Sequence, residues 1–164
     1  MADTQSMAAE IAEKRESVGL NHTLGVQFTK VTPEHLEAIM PITPAVHQPF
    51  GFLHGGATIA LLESVASAGG EVACDVETEQ PFGVEVNIRH KKSGKAGNLR
   101  GVAALAERVP SSRVGYKLIW DVAAYDDEGD VISDGTIVVK VVPKTYLAQK
   151  AAEREAARAG AAAF

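Results

Sequence analysis

Apolar and polar positions change period along this chain, and the changes mark its elements. Residues 5–17 repeat at helical spacing, with Met7, Ala8 and Ile11 on one side. Two strand-like runs follow, Leu24–Lys30 and Leu36–Ile42, divided by a turn at Thr32-Pro33-Glu34. Thr43–Gly56 holds prolines and glycines and reads as a loop. Ala57 to about Cys74 is a long helix that is apolar on nearly every side, the mark of a helix surrounded by protein.

After Pro81 the period falls to two. Phe82, Val84, Val86 and Ile88 alternate with Gly83, Glu85, Asn87 and Arg89, which predicts a half-buried strand. Ser93–Asn98 is a turn and Leu99–Glu107 a further strand. Val114–Tyr125 and Val131–Val142 form a hairpin around Asp126-Asp127-Glu128-Gly129-Asp130. Pro143 ends the sheet, and the Ala-rich stretch Tyr146–Phe164 is expected to be a surface helix. The expected class is α+β, an antiparallel sheet curled around one long central helix. It divides into an N-terminal extension (1–19), one domain (20–143) and a tail (144–164). A sheet wrapped round one helix leaves an edge strand to cover, which predicts a dimer.

Composition narrows the classes without choosing among them. Of 164 residues, 46% are hydrophobic and 23% charged, as in ordinary globular domains. Sixteen basic against twenty-one acidic residues give a net charge of −5, so no nucleic-acid partner is expected. One cysteine, Cys74, offers neither a disulfide nor a Cys-rich metal motif. No apolar run reaches the roughly 20 residues of a membrane span. The N-terminus has no signal-peptide core, so a cytoplasmic location is expected.

The candidate chemistry lies in QPFGFLHGGATIALLESVASAGG, residues 48–70. A helix starting at Gly55-Gly56 presents unpaired N–H groups and the positive end of its dipole, suited to a carbonyl oxygen gaining negative charge. Glu63 is the one carboxylate within the apolar stretch, eight residues on, so about 12 Å along the same helix. One chain therefore cannot bring its Gly55 amide and its Glu63 to one carbonyl; two antiparallel helices across a two-fold axis can. Ser67 is one turn from Glu63 on the same face. Gln48 and His54 add an amide and an imidazole near the helix start. This set, without a Ser-His-Asp arrangement, points to acyl-group hydrolysis. His90 continues the apolar parity of its strand and reads as a core or interface histidine. His22, His35 and His47 have no metal-ligand spacing. His90-Lys91-Lys92, with Lys95 nearby, is either a solvated strand end or a phosphate-binding edge.

Taken together, residues 48–70, Phe82-Gly83-Val84-Glu85-Val86-Asn87-Ile88-Arg89-His90, Arg100-Gly101-Val102, Trp120-Asp121-Val122 and Asp126-Asp127-Glu128-Gly129 resemble the hotdog-fold acyl-CoA thioesterases. The likeness is to the branch with a catalytic glutamate on the central helix, which includes 4-hydroxybenzoyl-CoA thioesterase of the Arthrobacter type and 1,4-dihydroxy-2-naphthoyl-CoA hydrolase. It spans roughly residues 20–142. The resemblance implies Glu63 as nucleophile or general base, and the Gly55 amide assisted by Gln48 as carbonyl polariser. It implies His54 at the thioester or leaving thiol, and Ser67 positioning the carboxylate or a water. The CoA end would meet Gly56, His90, Lys91, Lys92 and Ser93, with Ser112 and Arg113 from the next hairpin. It further implies a homodimer with shared sites, usually paired into a homotetramer, and neither metal nor cofactor. The substrate expected is an aromatic acyl-CoA, with 1,4-dihydroxy-2-naphthoyl-CoA first. Fatty acyl-CoA, carrier-protein acyl groups and a non-catalytic acyl-CoA sensor stand as alternatives. The stretch between Arg100 and Trp120 is longer than the family pattern, and the tail after Pro143 is additional.

Overall fold

A computed structural model describes residues 4–161. The side chains of Met7 and Ala8, and residues 162–164 of the expected tail helix, lie outside the described residues. The elements are α1 (Thr4–Ser17), α2 (Gly19–Leu24), β1 (Gln27–Val31), β2 (His35–Pro41), α3 (Gly55–Val72), β3 (Glu79–His90), β4 (Asn98–Pro110), β5 (Tyr116–Tyr125), β6 (Val131–Pro143) and α4 (Lys144–Ala161). The six strands form one antiparallel sheet in the order β1-β2-β4-β5-β6-β3.

The α+β architecture follows from where the apolar stripes fall. α3 buries Leu61, Leu62, Val65, Ala66 and Ala68 against the inward residues of the sheet, among them Leu36, Met40, Leu99, Trp120, Ile137 and Val139. Full burial of each large side chain contributes about 1.5–3 kcal/mol. Gly69 permits the closest approach: a Cβ there would lie 2.5 Å from the Trp120 ring and 3.0 Å from Leu36. The α3 backbone thus rests directly on the indole.

Two of the expectations change. Residues 19–24 form α2, so β1 begins at Gln27 and not at Leu24. Gly25, at φ 68°, stops α2 and turns the chain into the sheet. α1 and α2 then lie along the outer side of α3, tied by an Arg15–Glu71 ion pair at 2.8 Å and a Ser64–Asn21 hydrogen bond at 2.6 Å. The second change is in β3, whose alternation is broken by a bulge between Gly83 and Glu85. Gly83 lies opposite Val139, and Val86, Ile88 and His90 lie opposite Ile137, Gly135 and Ser133, all on the α3 face. Phe82 lies opposite Lys140 on the other face. Phe82 and Val86 therefore do not share a face, as strict alternation requires.

Among the described residues, β3 ends the sheet with no strand beyond it. Phe82, Val84 and Val86 on this twelve-residue edge are 45%, 51% and 37% exposed in the chain. β1, the other edge, has α1 against it, and Glu16 on α1 accepts the Phe28 N–H at 2.6 Å. No helix among the described residues is long and apolar enough to cross a membrane.

Candidate active site

His54 is the N-cap of α3; its Nδ1 accepts the Gly56 N–H at 2.8 Å, and its carbonyl accepts from Ala57 and Thr58 at 3.0 and 3.2 Å. The Gly55 N–H has no partner among the described residues. Four amides begin every helix without intrahelical partners, and here a single one stays free. Because Nδ1 is an acceptor, the proton of the neutral His54 ring is on Nε2.

Gln48 is fixed in a comparable way. Its Oε1 accepts the Phe50 N–H at 2.5 Å, within a turn closed by Gly51 at φ 79°. The side-chain carbonyl is committed to its own loop, so the amide NH2 is the end left to donate. The sequence places Gln48 near the helix start; the loop decides which end of it is available.

Gly55 has a neighbour that the sequence does not put there. A Cβ on Gly55 would lie 2.7 Å from Nε2 of His90 and 3.1 Å from Cε1. The imidazole occupies the space that any other residue's side chain needs. Its Nδ1 is 2.8 Å from the hydroxyl of Ser133, which is fully buried. His90 is thus beside the helix start, and Ser133 was not among the expected site residues. A readable signal existed: Ser133 shares the parity of Ile137 and Val139, a polar residue in an apolar-face position.

Glu63 departs from expectation. The apolar pattern around it predicts a helix enclosed by protein, yet Glu63 is exposed in the chain and has no hydrogen-bond partner among the described residues. It stands where α3 meets the open edge of the sheet. A Cβ on Gly83 would lie 3.2 Å from Glu63 Oε1 and 3.9 Å from Ser67 Oγ, so carboxylate and hydroxyl face the same point of β3. Gly83 is the second unanticipated contributor, and a glycine inside a strand pattern, beside a bulge, is its signal.

The expected phosphate-binding residues are not assembled in one chain. Lys91 is paired with Asp134. Lys92 lies 2.7 Å from Asp126 and 2.5 Å from Asp130, which hold its ammonium charged well above the ordinary lysine range. Neither is a free cation as the motif suggests: Lys91 meets Asp134 of β6, and the acidic hairpin turn lies against Lys92 at the end of β3. The same lysine lies against the acidic group Asp126, Glu128 and Asp130. Ser93 is exposed beside them, and Ser112 and Arg113 are exposed in the β4–β5 turn, at the opposite end of the sheet. The length of β5, about 33 Å, separates the two groups.

Two further features delimit the chemistry. Burial pushes the Cys74 thiol up to about 11, with Glu79, Glu71 and Asp75 adding to the effect, which leaves it a poor nucleophile. A cavity of about 550 Å³ lies at the other end of α3, between Ile11, Glu71, Cys74 and Gln80, and includes neither Gly55 nor Glu63. This cavity is therefore not where the candidate groups meet.

One antiparallel sheet curled around a single helix, with a free amide at the helix start and a carboxylate on its open side, defines the hotdog class. A sequence-family profile described as "Domain of unknown function (DUF4442)" matches residues 17–141. A 1,4-dihydroxy-2-naphthoyl-CoA hydrolase of Listeria monocytogenes is 33% identical, over 75% of this chain and 97% of the relative. Thioesterase PA1618 of Pseudomonas aeruginosa, solved as a glutamine-to-alanine variant, is 28% identical with a TM-score of 0.71, over 87% of this chain and 96% of that one. Protein SAV0944 of Staphylococcus aureus was solved as a glutamate-to-alanine variant, 30% identical with a TM-score of 0.68 over 76% of this chain and 99% of that one. It was also solved, as a thioesterase, with a glutamine replaced by alanine, 29% identical at the same TM-score over 76% and 98%. The chain belongs to this DUF4442 family of hotdog-fold thioesterases.

Proposed function

We propose that the protein hydrolyses acyl-CoA thioesters at sites shared by two copies of the chain, with an aromatic acyl group as substrate and 1,4-dihydroxy-2-naphthoyl-CoA as the first candidate. One observation carries the reading: β3 runs antiparallel to α3, with Gly83 beside Glu63 and His90 beside Gly55. Pairing of the free β3 edges about a two-fold axis near Val86 exchanges these two ends. The Gly55 amide of one copy then stands at Glu63 and Ser67 of the partner subunit. This arrangement resolves the 12 Å separation along one helix and covers Phe82, Val84 and Val86.

In that site the thioester carbonyl oxygen accepts from the Gly55 N–H and the Gln48 amide as negative charge develops. The Glu63 carboxylate either adds to the carbonyl carbon or takes a proton from the water that adds; Ser67 steadies it. If Glu63 adds, the carbon–sulfur bond breaks to leave a mixed anhydride on Glu63 that water then hydrolyses; if it acts as base, the bond breaks from the water adduct. On either path the CoA thiolate leaves and takes up a proton, and the carboxylic acid is released with Glu63 regenerated. A glutamine and a glutamate replaced in the Staphylococcus aureus protein are fifteen residues apart, the spacing of Gln48 and Glu63 here, which supports the choice of these two. The two-fold also brings the Ser112–Arg113 turn of one copy toward Ser93 of the other, so the CoA phosphates would be met from both chains.

The test is Glu63→Gln, nearly isosteric but unable to act as nucleophile or base. Thiol release from aromatic acyl-CoAs should fall by about 10²–10⁴-fold with the assembly mass unchanged. Turnover within a few-fold of wild type would overturn the mechanism.

A further inference from the structure

We propose that Ser133 is a positioning residue that sets the proton of His90 on Nε2, giving the thioester oxygen a donor beside the Gly55 amide; the catalytic part of this rests on the function proposed above. The geometry has three parts. Ser133 is fully buried on the α3 face of β6, and its hydroxyl is 2.8 Å from Nδ1 of His90. The two residues are direct partners across the β3–β6 ladder, so the backbone fixes their separation. The far side of the ring lies against Gly55, with Nε2 2.7 Å from where a Cβ would stand.

The direction of the Ser133–His90 bond follows from satisfaction of buried donors. If Nδ1 carried the proton, the serine oxygen would accept it and the hydroxyl hydrogen would need a second acceptor. Among the described residues, that hydroxyl hydrogen-bonds to His90 alone. A fully buried hydroxyl proton without an acceptor is a condition folded proteins avoid. The serine therefore donates to Nδ1, and the neutral ring keeps its proton on Nε2. The Gly55 N–H makes no hydrogen bond to that nitrogen, which leaves two donors side by side at the helix start. Oxyanion sites gain from donors fixed before the charge appears, and a ring held from behind by a buried hydroxyl is fixed in this sense.

The experiment uses the full-length protein labelled with ¹⁵N-histidine, with His90 assigned through His90→Gln, at a pH where the ring is neutral. The wild type should show Nε2 protonated and Nδ1 bare, and Ser133→Ala should move His90 toward a tautomer mixture. Steady-state thiol release should show kcat falling about tenfold in Ser133→Ala with KM changed less than twofold, short of the roughly 10²–10³-fold cost of a whole oxyanion donor. Ser133→Thr, which keeps the hydroxyl, should restore both readings. A wild-type His90 protonated on Nδ1, or an unchanged tautomer in Ser133→Ala, overturns the inference while leaving thioester hydrolysis intact. A wild type that hydrolyses no acyl-CoA but shows the Nε2 tautomer overturns the functional reading and supports the role of Ser133.

Discussion

Replacing Gly55 by alanine adds one carbon atom at the point where the His90 ring meets the helix start. The new Cβ would lie 2.7 Å from Nε2, 3.1 Å from Cε1 and 3.4 Å from Cδ2, against about 3.5–4.0 Å for relaxed contact. The ring must shift by about 0.8 Å or more, and because Ser133 holds it from the side away from Gly55, its 2.8 Å bond to that hydroxyl cannot keep its geometry. Loss of that bond costs about 0.5–1.5 kcal/mol. Alanine in a helix offsets up to about 1 kcal/mol relative to glycine, so the net stability change should be within about 1 kcal/mol. Catalysis responds on a different scale, since misplacing a reacting contact by about 1 Å costs about 10²-fold. Urea denaturation at fixed protein concentration should thus show a near-normal midpoint, while thiol release falls about a hundredfold in kcat. A variant within threefold of wild-type kcat would refute the placement of Gly55 at the reacting carbonyl. A variant that loses activity only through unfolding would reduce Gly55 to a packing requirement.

Two further outcomes test the fold and the seam. Gly69→Ala sets a methyl 2.5 Å from the buried Trp120 ring, and overpacking of about 1–3 kcal/mol should exceed the helical gain of about 1 kcal/mol. Thermal unfolding at constant concentration should fall by several degrees, and an unchanged or raised midpoint would contradict the close α3–β5 packing. In a Cys74→Ser background, single cysteines at positions 85, 86 and 87 place one thiol opposite its own copy if β3 pairs with β3 about a two-fold. One of the three should give a disulfide-linked dimer on mild oxidation and a cysteine at Gln27 should not; no cross-link at any of the three would remove the proposed seam.

How far the molecule could be read from its residues varies with the range of the forces involved. α3 was legible because its run is long and apolar on nearly every side, and the β5–β6 hairpin because two apolar runs flank the acidic turn Asp126–Asp130. α2 was not, since Gly19–Leu24 is too short to show a period and its Leu24 passes equally well as the start of a strand. The bulge in β3 was hidden by Gly83, which fits a polar slot of the alternation while turning the rest of the strand over. Of the candidate site residues, Gln48, His54, Gly55 and Glu63 lie within sixteen consecutive residues, so local spacing was enough to single them out. Ser133 meets His90 across 43 residues, and Lys92 meets Asp126 across 34. Such contacts depend on register, which no local window contains. The free state of the Gly55 amide was likewise invisible until each neighbouring donor had found its acceptor.

The separation of Gly55 and Glu63 on one rigid helix has a genetic meaning. If each site draws its amide from one chain and its carboxylate from the other, defects at the two positions complement each other. A mixed dimer of a Gly55-defective chain and a Glu63-defective chain gathers both lesions into one site and leaves the other whole. Put both lesions on a single chain beside a normal partner, and every site inherits one. The same two substitutions would then be tolerated or disabling according to which copy of the gene bears them.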